Sequence, residues 1–560
     1  AAVIYLLGTA LCDGTSEPII FTSYKDDSVA GDTNGDGATA PAGGNWVGIY
    51  VGPTAGASEF RNCTFRYAAA YNGGPGIGNY EGAPRFGTLF VHNSSPVFYG
   101  CTISNGDRGG IHLFGSQATI RNCSFVNFSS AYYPILINSP NCAPIMEGNT
   151  TTGTGKNMAG HCGGAFPGDI RWYNPGPEFP YDVFTDVLSP EGSTWTIDAG
   201  TTVKTTRKFS VLGTLMAIGT PDNPITFTSS VASPVPGDWV GIYLGPQSSA
   251  SVLEYINLLY GASYNGGPGI GNLHGSPRFA SLYVDGSSPT LSNVSISSTY
   301  RNGLEMYAAQ PTVNGLIIDK CGWHGVRAEG GSVVSYLNTV FRNSVATTYY
   351  PISCDGSSIP ILVNPVFTDN KLNAVQLTDG TLALPATLKA IGTEVSYALT
   401  GDVIVSAVAT LTIEPGSVVK GSSGAIHVLG SLIAENVVFT SIKDDSVGGD
   451  TNGNGTATSP GKGDWIGIYF GPDAGGSVFR WNKVAYAGGY NGGVGLGNYD
   501  GRYRQANVVI HRSSPRFACN NVFQSDEHGI LTVYSNSRVV DCIVSDIRTD
   551  GILVDGGYPM

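Results

Sequence analysis

The chain has 560 residues and a net charge of −13, a balance that argues against nucleic acid as a partner and suits divalent cations. Glycine accounts for 78 residues and charged residues for only 13%, while 41% are apolar and 10% aromatic; that mix argues against disorder and favours a repetitive build over three or four ordinary domains. No apolar run reaches the ~18 residues of a membrane span, and the ten cysteines show neither Cys-x-x-Cys pairs nor histidines at zinc spacing, which argues against a zinc site.

In chain order, the opening AAVIYLL carries no basic leader, so any signal peptide is expected to have been removed or never included. An acid-rich stretch follows, FTSYKDDSVAGDTNGDG from Phe21 to Gly37, then Asn45-Trp-Val-Gly-Ile-Tyr50 and the glycine-rich Tyr71 to Asn79, YNGGPGIGN. Ser95-Pro-Val-Phe and Gln117-Ala-Thr-Ile start 22 residues apart, and Cys101 and Cys123 keep the same step. A second copy opens with Trp195-Thr-Ile-Asp-Ala-Gly-Thr-Thr-Val-Lys204 and continues through Asp238-Trp-Val-Gly-Ile-Tyr243 and Tyr264 to Asn272. Its Phe227 is followed only by TSSVASPVPGDW, so the acids are missing there. Further starts at Ser288, Gln310 and Ser332 are again 22 apart. A third copy runs from Leu411-Thr-Ile-Glu-Pro-Gly-Ser-Val-Val-Lys420 through FTSIKDDSVGGDTNGNG (Phe439 to Gly455) and Asp464-Trp-Ile-Gly-Ile-Tyr469 to YNGGVGLGN (Tyr490 to Asn498).

Two independent motifs keep one offset, 193 positions from Trp46 to Trp239 and 226 from Trp239 to Trp465. The chain is therefore read as nearly three copies of one large unit, residues 1–194, 195–410 and 411–560, in one continuous solenoid. Within each unit the 22-residue period holds short alternating runs split by Gly, Asn, Asp or Ser, which read as strands with tight turns. The expected fold is all-β: a β-solenoid in which each strand pairs with its equivalent one coil on and inward side chains stack like on like. Val294 is expected near Ile317, Cys101 near Cys123 and Cys519 near Cys542. The cysteines read as a buried ladder of free thiols, with Cys142 and Cys162 the best candidates for an inter-coil disulfide.

On these motifs the chain resembles the right-handed parallel β-helix proteins, a superfold of pectin-degrading enzymes, phage tailspikes and bacterial surface proteins. In particular it resembles bacterial secreted repeat proteins carrying FTSxKDDSxxGDTNGDG and GDWxGI. The resemblance covers nearly the whole chain and implies the fold and a secreted, cell-surface location; it says little about activity, because the fold hosts unrelated functions.

Asp32-Thr-Asn-Gly-Asp-Gly37 fits the first half of an EF-hand calcium loop, with Asp26 and Asp27 upstream in place of its missing distal Glu. The expected calcium ligands are Asp26, Asp27, Asp32, Asn34 and Asp36, repeated as Asp444, Asp445, Asp450, Asn452 and Asn454, where Asn454 for Asp36 removes one charge. The alternative is a solvated turn closed by Asx hydrogen bonds. A sugar-contacting patch is the functional reading of Tyr71, Asn72 and Asn79, of Tyr264, Asn265 and Asn272, and of Tyr490, Asn491 and Asn498; a turn folded over one sheet is the other. No residue is assigned a catalytic role. Trp323-His-Gly325 and Glu527-His-Gly529 only weakly resemble the histidine element of polygalacturonase-like enzymes and read as polar turn positions. Arg278, with Arg85 and Arg516 in similar Pro-Arg-Phe steps, is a conceivable lyase base but reads first as a structural Arg over an aromatic. Trp46, Trp239 and Trp465 read as core.

Both ends fall mid-unit without a capping helix or polar rung, so the chain is expected either to be a segment of a longer protein or to stack end to end into a filament. The expectation is thus an extracellular, bacterial cell-surface structural or adhesive rod with calcium-stiffened loops and polysaccharide as a candidate partner. A polysaccharide lyase or hydrolase, or a non-catalytic carbohydrate binder, is the alternative.

Overall fold

Short runs such as Val97–Tyr99 or Thr119–Arg121 alternate one buried residue with two outward ones, a pattern that needs a partner strand on each side because three residues bury too little alone. The computed structural model supplies those partners by winding. It describes residues 2–70, 77–80, 83–129, 131–263, 269–489 and 504–556, and it forms two compact units, Ala1–Gly261 and Ala262–Met560. Each unit is a right-handed parallel β-helix. Among the described residues no helix is long and apolar enough to cross a membrane.

In the first unit one parallel ladder runs uninterrupted through Val3–Leu6, Gly48–Val51, Leu89–His92, Ile111–Phe114, Ile135–Ile137, Ala159–His161, Tyr181–Val183, Thr202–Thr205 and Ile225–Ser229. Two companion ladders stop after Ile145–Glu147 and Thr150–Thr152, and two others begin at Gly164–Ala165 and Ile170–Trp172. The winding slips by one face at that point. Gly48–Val51 therefore lies in the through ladder, whereas its sequence repeat Gly241–Leu244 lies in a new one. The through ladder instead receives Ile225–Ser229, the repeat of the Phe21 strand.

The second unit does the same. Its through ladder runs from Ala280–Asp285 to Ile543–Ile547, while the companions end at Ile361–Val363 and Val366–Thr368 and are replaced from Gly380–Leu382 and Ala386–Leu388 onward.

Inward side chains stack like on like. Phe60 lies on Phe98 with centroids 5.2 Å apart, Phe21 on Phe65 at 4.9 Å, and Phe479 on Phe517 at 5.4 Å. Cys63, Cys101 and Cys123 form a buried column, and all ten cysteines are free, Cys142 and Cys162 included. The turn before each of those three thiols needs a left-handed residue, met by Asn62, Gly100 and Asn122 with φ of 52°, 63° and 52°. One expected neighbour is a residue out. Ser295 stands opposite Ile317, so the inward pairs are Val294 with Leu316 and Ile296 with Ile318. Strict alternation fixes this, because an inward residue must meet an inward one.

Candidate functional site

The acid-rich loops are insertions on one shared base. Ser23 donates to Asn45 at 3.2 Å, Ser229 to Asp238 at 2.6 Å and Ser441 to Asp464 at 2.5 Å, so all three copies close the loop identically. Only its content differs.

In the first loop the carboxylates of Asp27, Asp32 and Asp36 converge, with one oxygen from each within 4.8 Å of the others. Asp32 accepts the amides of Gly35 at 2.7 Å and Gly37 at 3.0 Å, and Asn34 bonds Asp36 at 2.7 Å. The Asx turn is thus built, and it gathers the acids. One Asp27 oxygen is buried without a hydrogen-bond partner. Burial, then the charges of Asp32, Asp36 and Asp26, push the Asp27 carboxyl above its ordinary pKa. A set of three carboxylates with an orphaned acceptor fits a hard divalent cation. Asp26 departs from its expected role: it is buried and held by Arg66 at 2.5 Å, Thr22 at 2.5 Å and Ser28 at 2.6 Å. It staples the loop to the coil.

The third loop repeats the staple, with Asp444 bonded to Thr440 and Ser446. Asp450 accepts the amides of Asn454 and Gly455, and Asn452 and Asn454 both donate to Thr458. One Asp445 oxygen is again buried and unpartnered. Among the described residues these acids do not converge as those of the first loop do.

Of the sugar-patch candidates, Tyr71, Asn72, Tyr264, Asn265, Tyr490, Asn491 and Asn498 lie outside the described residues. Asn79 and Asn272 are exposed on antiparallel hairpins, Gly78–Tyr80 with Ala83–Arg85 and Gly271–Leu273 with Ser276–Arg278. These hairpins fold over the sheet. Tyr80 stacks on Tyr50 at 4.8 Å, and the Arg85 guanidinium sits 4.4 Å from the Phe114 ring.

Arg278 does the same work with ions. It is 2% exposed, lies over Tyr283 and Tyr307, and bonds Glu305 at 3.0 Å and Glu329 at 2.8 Å. Arg327 completes the cluster, 2.5 Å from Glu329 and 3.6 Å from Glu305. Burial would raise the Glu329 carboxyl, but hydrogen bonds from Arg278 and the charge of Arg327 bring it below the usual range. Burial would likewise lower Arg278, and the two carboxylates more than reverse that. Beside the cluster a recess of about 270 Å³ is lined by His324, Arg327, Glu329, Ser353, Asp355 and Gln376, among others.

The third equivalent of this arginine is Arg504, not Arg516. Arg504 is buried and pairs with Asp555 at 3.1 Å, whereas Arg516 is an exposed strand residue. The signal was the shared position two residues before a strand, Arg278-Phe-Ala280 and Arg504-Gln-Ala506; the Pro-Arg-Phe match misled. His324 accepts the Tyr350 amide at 3.1 Å, and burial, then Arg327, lowers its pKa to about 4. It is a neutral turn residue. His528 bonds Thr549 at 2.8 Å. Trp46, Trp239 and Trp465 are core, each indole donating to a backbone carbonyl, of Arg66, Leu259 and Ala485 respectively.

Parallel ladders wound in coils, with lateral loops strapped across them, define the right-handed parallel β-helix fold. Residues 42–163 match the family model described as a right-handed β-helix region. No curated protein and no solved structure matches the chain.

Proposed function

We propose that the chain is an extracellular structural or adhesive β-helix of a bacterial cell surface or fibre, with calcium-stiffened loops and no catalytic activity. The observation that carries this reading is the self-closed charge cluster of the second unit. A general acid must hold a proton near neutrality and a base must be able to lose one. Glu329, held below the usual carboxylate range, carries no proton to donate near neutrality and is a weakened base, and Arg278, held above the usual guanidinium range, does not give up its proton, so the cluster suits neither role. In the first unit the matching position is filled by Arg85, whose guanidinium lies over Phe114.

Calcium would be held by Asp27, Asp32 and Asp36, whose carboxylates converge in the first loop, with Asn34 beside Asp36 as a neighbouring candidate. Its charge would relieve the mutual repulsion of the three carboxylates, and millimolar extracellular calcium can fill such a weak site. End-to-end association is part of this proposal, because the open edge of a solenoid rung can pair with another copy.

The test is threefold. Pectin, alginate and chondroitin should show no turnover, negative-stain images should show rods or fibres, and chelation should lower the melting temperature. Turnover that is lost when Glu305 and Glu329 are changed would replace this reading with that of a lyase or hydrolase. The recess beside Glu329 favours one second reading, non-catalytic polysaccharide binding, because its acids, amide and hydroxyls suit sugar hydroxyls. Glycan binding that Gln376→Ala and Asp355→Asn weaken together would support it.

A further inference from the structure

Lys420 stands in Val418–Gly421, paired between Ala398 and Thr440 of the adjacent coils, and its side chain has no exposure. What covers it is the third acidic loop. Thr451 of that loop is buried and bonds Ser396 at 2.8 Å. Gly449 and Gly453, at φ of 73° and 66°, approach so closely that an added Cβ would lie 2.8 Å from the Glu394 carbonyl and 2.7 Å from Leu372. The ammonium donates to the Gly449 carbonyl at 2.5 Å. Burial lowers its pKa to about 8, against the pull of Asp444, Asp445, Asp450 and Glu394.

The second copy supplies an internal control. Lys204 ends the same motif as Lys420, yet its loop lacks counterparts of Asp444, Asp445 and Asp450, and residues 231–236 are exposed. There the lysine is half-exposed and lines an open recess with Asn174 and Asn223. Between these two copies, the loop that carries the acids covers its lysine and the loop that lacks them does not. A buried ammonium needs compensating charge, and carboxylates strapped over it need a cation.

We propose that in the third copy the Lys420 ammonium is the acidic loop's resident cation, so that this loop takes no divalent ion while Lys420 is present. The inference deepens the calcium reading above and rests on it only for the first loop. An ion and the ammonium would compete for the same field, and the ammonium is covalently present at all times.

The test uses the full chain with the first loop silenced by Asp27→Asn and Asp32→Asn, and calcium alone as the probe in equilibrium dialysis. With Lys420 intact, no uptake is expected. Adding Lys420→Gln, or Lys420→Met to keep the buried stem, should create uptake of one ion per chain. Amide exchange over 442–464 should then become calcium-dependent. Calcium uptake by the double variant with Lys420 intact overturns the inference, whatever becomes of the lysine variants. So does a folded triple variant that takes up none. If the unaltered chain binds no calcium but the triple variant does, the first-loop reading fails and this one stands.

Discussion

Glu305 has no solvent contact, and the guanidinium of Arg278, the Arg327 guanidinium and the Asn302 amide are what make that tolerable. A buried carboxylate stripped of its counter-charge destabilises by ~3–5 kcal/mol. Arg278→Met should therefore cost about that much in urea unfolding of the full chain, on the same scale. Pairing it with Glu305→Gln should recover most of the loss, since no charge is then stranded. A near-neutral Arg278→Met alone would show the cluster is not coupled in this way. The arginine was legible in the sequence as a repeated Pro-Arg step. Its partners were not, because Glu305 and Glu329 lie one and two coils further on and nothing local names them. The same holds for Asp26, whose neighbours in sequence suggest a ligand while Arg66, one coil later, claims it.

At the scale of a strand, the slip within each unit has an energetic consequence. The through ladder keeps a partner on both edges, for instance Ile135–Ile137 between Ile111–Phe114 and Ala159–His161. Ile145–Glu147 and Thr150–Thr152 end their ladders. Backbone amides near a sheet edge open more readily than those paired on both sides. Hydrogen exchange should therefore be faster in those two strands than in Ile135–Ile137, and faster in Ile361–Val363 than in Ile352–Asp355. Equal protection would mean the ends are covered as well as the through ladder is. The 22-residue spacing makes the strands themselves readable. Which strand each one meets is set by the accumulated length of the turns between coils, so repeats as alike as Gly48–Val51 and Gly241–Leu244 part company.

Across the molecule, buried imidazoles set an acid limit. Burial lowers His112 and His324 to about 4 and His161 to about 3, against about 6.5 in an unfolded chain. The unfolded chain therefore takes up protons first as pH falls, so the stability these groups permit is full above ~6.5 and is lost on the way down to the folded values. Asp26 adds a later loss. Although burial opposes it, bonds from Ser28, Thr22 and Arg66 hold its pKa below the ordinary one, so its contribution is full above ~3.9 and fades as pH falls through its folded value. Melting temperature should decline from pH 6.5 to 4 and then further, and His324→Asn should flatten the first part. A flat profile over that range would contradict the burial of these rings.

By itself the sequence determined the coil, its period, the inward alternation, the free-thiol and tryptophan core and the composition of the acidic loops, because each depends on contacts within one coil or between identical positions of adjacent coils. Tertiary structure alone decided the one-face slips, the choice of Arg504 over Arg516, the closure of Arg278 on two glutamates and the burial of Lys420 beneath the third loop. Those depend on where a loop lands after crossing one or more coils, and that landing is governed by accumulated turn lengths and by opposite charges meeting across coils, neither of which a local pattern encodes.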